Sequence, residues 1–345
     1  MKAVFISEHG GIDKIKFDEV KKPVISSKEV LIKLKAASLN HLDIWVRQGI
    51  PGIKVEFPHI LGSDGAGIVE EAGNEVKNVK AGDKVFLNPG ISCNTCECCS
   101  AGEHSLCPTF HLLGEHVNGT YAEYVKAPFE NVHRIPENLS FEEAAAFPLV
   151  FLTAWRMLIS KARLLPGETI LILGIGGGVS GAALRIAKQI GARVIVTSGD
   201  NNKLEKAKQL GADIGINYNE KDFAKEIRSL TNKRGVDVVL DNIGAATWIK
   251  SLSSLTRGGR LVTCGSTSGA NPQTDIQRIF WNQISVFGST MGNRKEFLQI
   301  LNLFDVNNLK PIIDSVFLLK DFKEAQNRME NKNQFGKIVI KIDYE

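Results

Sequence analysis

Five of the six cysteines fall between Cys93 and Cys107, and four of them are spaced Cys93-x2-Cys96-x2-Cys99-x7-Cys107. Thiolates are soft ligands. Four of them on one short loop complete a tetrahedral zinc shell and leave no position open, so the spacing predicts a structural metal rather than a catalytic one. Such a local cluster in a long chain with no signal-like N-terminus argues against a disulfide framework and for a reducing, cytoplasmic setting. Cys98 is a fifth thiol in the loop and reads as a bystander facing away.

A second chemistry lies in Gly174-Ile-Gly-Gly-Gly-Val-Ser-Gly181, which follows the apolar run Thr169–Leu173 and opens a helical segment over 182–190. A second apolar run, Arg193–Thr197, closes a βαβ unit of the kind that cradles a dinucleotide. A turn nearly free of side chains lets backbone approach a pyrophosphate, and the helix start points its free N–H groups at it. Gly174, Gly176, Gly177, Gly178 and Val179 are therefore the cofactor-binding candidates. NAD sites usually carry an acid at the end of the second strand; here that place is Ser198, with Asp200 on the next loop and Lys203 beyond it. A hydroxyl and a nearby ammonium suit a 2′-phosphate, which favours NADPH over NADH.

The elements that must position these residues differ between the two ends of the chain. Residues 1–150 read as short alternating strands such as Ala3–Ile6, Glu29–Lys35 and Gly67–Glu71, broken by turn signals, as in a mostly antiparallel domain. A helix is expected from Pro148 to Leu158. Strands and helices then alternate: helices at Lys203–Leu210, Phe223–Thr231 and Trp248–Leu255, strands at Ile214–Asn217, Val236–Leu240, Arg260–Cys264 and Ile284–Ser289. Six parallel strands with five crossovers make a doubly wound sheet, and ligands sit at its carboxyl edge, where Asn242 falls. From Asn293 the tail carries two helical stretches and a terminal strand, Ile338–Ile342, expected to return to the first domain.

Composition excludes more than it assigns. The chain of 345 residues is 23% charged and 43% hydrophobic with net charge +4, which is ordinary for a soluble enzyme with two cores. No basic block suggests nucleic acid, and no apolar run is long enough to span a bilayer. The exposed edge expected of Ile284–Ser289 predicts self-association into a homodimer or homotetramer.

Several further motifs carry a resemblance: Asn40-His-Leu-Asp43, Leu61-Gly-Ser-Asp-Gly-Ala-Gly-Ile-Val69, Ala81-Gly-Asp-Lys-Val85, Gly119-Thr-Tyr-Ala-Glu-Tyr124, Leu152-Thr-Ala-Trp155 and Phe335-Gly-Lys-Ile338. With the cysteine lobe and the glycine turn, they make the whole chain resemble the medium-chain dehydrogenase/reductase superfamily, on its quinone oxidoreductase-like side. The resemblance implies an α/β chain: a GroES-like, mostly-β catalytic domain (1–150 and 293–345, zinc lobe about 90–110) plus a Rossmann doubly wound parallel sheet (151–292), with the active site in the cleft between them. It also implies that the Cys93, Cys96, Cys99, Cys107 lobe is the family's structural zinc site.

The same resemblance places this chain among members without catalytic zinc. Zinc-dependent members have Cys where this chain has Asn40 and Gly-His-Glu where it has Gly62-Ser63-Asp64, with a third ligand near Leu149 and a proton-relaying hydroxyl at Leu42. Amide, hydroxyl and aliphatic groups make no competent zinc set. Asn40, helped by Thr153, is then the candidate that stabilises negative charge on a substrate oxygen. His41 is expected beside the cofactor phosphate; Lys337 reads equally as a cofactor lysine or a solvated strand-end lysine. Asp43 and Asp64 read as structural hydrogen bonders, Trp45 and Arg47 as cleft lining or, more often, packing or surface. The reading is an NADPH-dependent reductase of a quinone, enone or reactive carbonyl. A zinc-dependent alcohol or aldehyde dehydrogenase with unusual ligands, drawing on His41, His59 and Asp64, and a low-turnover NADPH-binding protein remain as alternatives.

Overall fold

The computed structural model describes residues 1–307 and 309–342, which fall into two compact units, Met1–Val150 with Asn293–Glu345 and Phe151–Gly292. In chain order the first unit contains β1 (Lys2–Ile6), β2 (Ile15–Glu19), β3 (Glu29–Ser38), α1 (His41–Gln48), β4 (His59–Ile60) and β5 (Asp64–Ala72). After these come β6 (Lys84–Leu87), β7 (Gly90–Ile91), α2 (Glu97–Ser100), β8 (His111–Leu112), β9 (Tyr124–Pro128), β10 (Val132–Arg134) and α3 (Phe141–Ala145).

The long strand β3 is the hub. It pairs antiparallel with β5 and with β9, and its alternating apolar residues Val30, Ile32 and Leu34 are fully buried. Three glycines let the chain cross itself near the start of β5: a Cβ on Gly119 would stand 2.1 Å from the Gly62 carbonyl oxygen, and Gly62 and Gly114 hold φ of +100° and +76°, a region open mainly to glycine. α3 begins with a capping box, Ser140 accepting from the Glu143 N–H while the Glu143 carboxylate accepts from the Ser140 N–H.

The helix expected at Pro148–Leu158 is α4 (Pro148–Trp155), followed by a π-helical stretch, Arg156–Lys161. The second unit then runs through β11 (Thr169–Ile172), α5 (Gly178–Ile190), β12 (Arg193–Ser198), α6 (Asn201–Gln209), β13 (Ile214–Asn217) and α7 (Phe223–Leu230). β14 (Val236–Asp241), α8 (Trp248–Ser254), β15 (Leu255–Thr263), α9 (Ile276–Trp281) and β16 (Ser285–Gly288) complete it. The sheet order is β13-β12-β11-β14-β15-β16, and every neighbouring pair is parallel. This is the doubly wound order whose switch point lies between β11 and β14. Leu255, expected at a helix end, instead opens β15, because its buried side chain joins Val236, Val239 and Leu261 in the core. α5 packs through Ala182, Ala183 and Ala187, small enough for close helix–sheet approach, and stops at Gly191 with φ 87°.

The tail returns to the first unit. α10 (Arg294–Asn307) and α11 (Phe322–Glu330) are the two expected helices, and β18 (Lys337–Lys341) the expected strand. A further strand, β17 (Ile313–Leu318), pairs parallel with β18; it is only half-buried, and Asp314 and Ser315 break Ile313 from the apolar run Val316–Leu318. β18 pairs antiparallel with β3, placing Val339 opposite Ser38. Arg47 of α1 is no surface residue: it is 1% exposed and ties this return down through the Glu330 carboxylate and the Gly10 carbonyl.

Candidate functional site

Three strand ends bring one polar cluster together in the first unit. β3 finishes at Ser38, Asp64 opens β5 directly opposite it, and Lys337 opens β18. Asn40 precedes α1, where its backbone N–H donates to Asp43 Oδ2 at 2.7 Å, half of a capping box. Its side chain does not cap the helix. Instead Asn40 Nδ2 donates to Asp64 Oδ2 at 2.8 Å, and Asn40 Oδ1 accepts from Lys337 Nζ at 2.6 Å. An ammonium can only donate and a carboxylate only accept, so these two partners fix which way the amide faces. The second Nδ2 hydrogen has no partner among the described residues.

Lys337 Nζ also lies 3.0 Å from Asp64 Oδ2, with the two side chains 4% and 0% exposed. This overturns the reading of Lys337 as a solvated strand-end lysine; its ammonium is committed to Asn40 and Asp64. The other Asp64 oxygen accepts from the Leu149 N–H at 2.9 Å. The Ser63 hydroxyl donates to the Leu113 carbonyl at 2.8 Å, and Thr120 Oγ1 donates to the Asp64 carbonyl at 2.8 Å. Burial pushes Asp43 up to about 6, against the Asn40 N–H and the Tyr121 hydroxyl, which favour its anion. Tyr121 OH stands 2.5 Å from Asp43 Oδ2, and burial together with that carboxylate holds the phenol well above its ordinary range. Tyr121 lies in the Gly119–Tyr124 motif, but neither its contact with Asp43 nor that of Lys337 with Asn40 is written locally, because the partners lie far apart in the chain. His41 sits at the start of α1, its ring edge-on to Trp45 at 4.9 Å; desolvation and the Lys332 charge lower its pKa, so it is neutral near pH 7.

In the second unit the dinucleotide candidates gather at the switch point. Gly174 leaves β11 with φ +63°, and its N–H faces Thr197 Oγ1 at 3.3 Å. The cap residue of α5, Gly177, makes no side-chain bond, so the N–H groups of Gly178 and Val179 stay open to an anion. Asn242, just past β14, donates to Ser180 Oγ at 3.3 Å, and Ser180 donates to the Leu173 carbonyl at 2.8 Å, which pins the helix start to both strands. At the end of β12 Ser198 Oγ accepts from the Asp200 N–H at 3.1 Å. The Asp200 carboxylate is used as the cap of α6, accepting from the Asn202 N–H at 2.8 Å; Lys203 lies in that helix's first turn. Tyr218, missed in the sequence, follows β13 and is half exposed; a Cβ on Gly199 would stand 2.9 Å from its hydroxyl. Thr153, on α4, places its hydroxyl 3.8 Å from Met291 Sδ.

The sulfurs of Cys93, Cys96, Cys99 and Cys107 all lie within 4.8 Å of one another, and Cys93 and Cys99 are 3.9 Å apart. A tetrahedron with zinc–sulfur bonds of about 2.3 Å separates its sulfurs by about 3.8 Å, so the donor set fits the ion. The Thr95 and Cys96 N–H groups and the Thr95 hydroxyl pull the Cys93 thiol down to about 5, favouring the ligating thiolate. Cys98 is not among the four. Among the described residues no other group of three His, Cys, Asp or Glu side chains could hold a metal.

A doubly wound sheet with an open glycine turn, joined to a β-rich unit carrying a four-thiol cluster, defines a two-domain nicotinamide-type oxidoreductase. The sequence comparisons place it further. The "Alcohol dehydrogenase GroES-like domain" family matches residues 26–137 and the "Zinc-binding dehydrogenase" family residues 178–305. An NAD-dependent alcohol dehydrogenase of Sulfurisphaera tokodaii is 33% identical over 99% of both chains. A quinone oxidoreductase of Homo sapiens is 29% identical over 99% of this chain and 97% of its own. The crystal structure of an NAD-dependent alcohol dehydrogenase superposes with a TM-score of 0.96 at 43% identity, covering 99% of this chain and all of that one. The chain belongs to the medium-chain dehydrogenase/reductase superfamily.

Proposed function

We propose that this protein is an NADPH-dependent reductase of quinones, enones or reactive carbonyls that works without catalytic zinc. The observation that carries the reading is the Asp64–Lys337 ion pair at 3.0 Å with Asn40 bonded to both. An ammonium already neutralises the carboxylate and repels a second cation, the Ser63 hydroxyl is turned to a carbonyl, and Leu149 offers only its N–H. The set suits an oxyanion rather than a divalent metal.

NADPH, held at the Gly174–Val179 turn, would supply the hydride that an electron-poor substrate carbon accepts, and the electron pair displaced onto the substrate oxygen is what this chain's residues must stabilise. The free Asn40 Nδ2–H donates to that oxygen as the charge develops, and water provides the final proton. Neutral donors stabilise a modest charge, which suits substrates that already accept electrons readily. At the cofactor's other end, the Ser198 hydroxyl, the commitment of Asp200 to its helix cap and the Tyr218 hydroxyl beside Gly199 favour a 2′-phosphate. Cys93, Cys96, Cys99 and Cys107 would hold one structural zinc. Two copies would pair along β16, whose Val286 is exposed, as are Ile276, Phe280 and Trp281 on the preceding α9; a monomer mass by light scattering would remove that pairing.

The names of the relatives favour a second reading, a zinc-dependent alcohol dehydrogenase. Metal analysis paired with NADPH oxidation on a quinone and enone panel separates the two. The expected result is one zinc per chain and turnover unchanged by mild chelation. Two zincs, with alcohol oxidation following the more labile one, would establish the second reading.

A further inference from the structure

We propose that Lys337 is a positioning residue: its ammonium polarises the Asn40 amide and so makes that amide a strong enough donor for the oxygen that receives charge during hydride transfer. The inference rests on the reductase reading above and adds to it the origin of the donor's strength.

The geometry carries the argument. A neutral amide is a weak oxyanion donor on its own. Here Asn40 Oδ1 accepts from a cation at 2.6 Å. That contact draws electron density toward the oxygen and strengthens the nitrogen's donors, as hydrogen-bonded chains do when one end is charged. Asp64 holds one of those donors at 2.8 Å, fixing the amide plane and leaving one N–H unassigned. Asn40 and Lys337 are 5% and 3% exposed, so water screens the charge little. The carboxylate that could cancel the ammonium's field also anchors it, and the Leu149 N–H on its far oxygen shares its charge, while the Ser38 hydroxyl is given to the Ala145 carbonyl at 2.8 Å. Among the described residues, the Asp43 carboxyl and the Tyr121 phenol, joined at 2.5 Å, are further titratable groups that feel the cluster. The ammonium acts on the amide through the shorter Oδ1 contact at 2.6 Å, against the opposing field of the Asp64 carboxylate at 2.8 Å from Nδ2.

The competing role is that of a lysine bound directly to the cofactor phosphate. The two roles separate in kinetics. The test compares the wild type, Lys337→Arg, and the double variant Asp64→Asn/Lys337→Met, which removes both charges together because Lys337→Met alone leaves a buried carboxylate unpaired. NADPH affinity is read by fluorescence, and the hydride-transfer rate at saturating NADPH by stopped flow with the quinone and enone panel. The double variant should keep its zinc and bind NADPH within about threefold of wild type, while transferring hydride about 100-fold more slowly, the effect of losing one oxyanion donor. Lys337→Arg should recover the rate to within about tenfold, since the charge returns. Transfer by the double variant within about threefold of wild type, or weakened NADPH binding with an unchanged saturated rate, overturns the proposal. Absence of turnover by the wild type on the whole panel overturns the reductase reading itself, and this inference with it. A second readout needs no stable variant: in wild-type protein labelled at asparagine, the Asn40 amide protons, assigned by their loss in Asn40→Asp, should resonate well downfield. A shift typical of a solvated asparagine overturns the proposal.

Discussion

Two polar clusters in the first unit are assembled in opposite ways. The cysteine lobe draws its four sulfurs from one loop between Cys93 and Cys107, held by N–H groups of the same loop. The Asn40 cluster joins residues 297 positions apart, gathered from the ends of three strands and the start of α1. The lobe can organise around an ion with little help from the rest of the chain, whereas the Asn40 cluster exists only once the sheet is complete. Metal should therefore govern the first and packing the second.

The largest expected effect is on the lobe. Cys96→Ser should lose the metal, and structural zinc binding is worth on the order of 10 kcal/mol or more to the fold it organises. Metal analysis and hydrogen exchange over 93–107 should show zinc gone and the loop opened, with urea resistance elsewhere much less changed. Equal loss across the unit would break the contrast.

Next is the ion pair. Lys337→Met should destabilise the protein by about 3–5 kcal/mol in urea unfolding, the effect of leaving one buried charge uncompensated. Zinc content should stay the same. Adding Asp64→Asn should recover most of the loss; a double variant no better than the single would mean that the charges are not coupled.

Asp43 gives a smaller, pH-dependent effect. Burial raises its pKa from 3.8 to about 6, so the folded state holds this proton more tightly than the unfolded state. Stability from this group is then fully present below about pH 4 and is lost as pH rises to about 6. At roughly 1.4 kcal/mol per unit the loss is about 3 kcal/mol. Urea midpoints from pH 4 to 7 should show Asp43→Asn gaining on the wild type across that window and holding the gain above it. Parallel curves would mean that Asp43 titrates normally.

The smallest effect lies outside both clusters. Ser198→Asp should move the NADPH-to-NADH affinity ratio toward NADH by about tenfold or more, since the new carboxylate repels a 2′-phosphate and accepts from a 2′-hydroxyl. Fluorescence titration of both coenzymes checks it, and an unchanged ratio removes Ser198 from the specificity argument.

Legibility follows the same division. The glycine turn and the cysteine spacing could be read because their chemistry is written within one short segment: Gly174 ends a strand and Gly177 opens a helix in sequence order. The parallel strands of the second unit were visible as apolar runs, Ile170 to Ile172 and Val194 to Val196, each flanked by a helix. What stayed hidden depends on pairing. Asn40 and Asp64 can be singled out, but not that they bond to each other and that Lys337 bonds to both, since nothing in either segment encodes the other. For Arg47 the sequence leaves cleft lining, packing and surface all open, and its burial against Glu330 is decided by where α11 packs. β17 is harder to read because Asp314 and Ser315 interrupt its apolar residues, and its pairing with β18 joins segments that no local pattern links.

The return of β18 to β3 also sets a clock on synthesis. A ribosome making about 5–20 residues per second needs roughly 15 to 60 s to travel from Asn40 to Lys337. During that wait the nascent chain holds β3 with one sheet edge unfilled and Asp64 without its counter-charge, while the whole of Phe151–Gly292 emerges and can fold. The cofactor-binding unit can thus be finished before the first unit acquires its last strand.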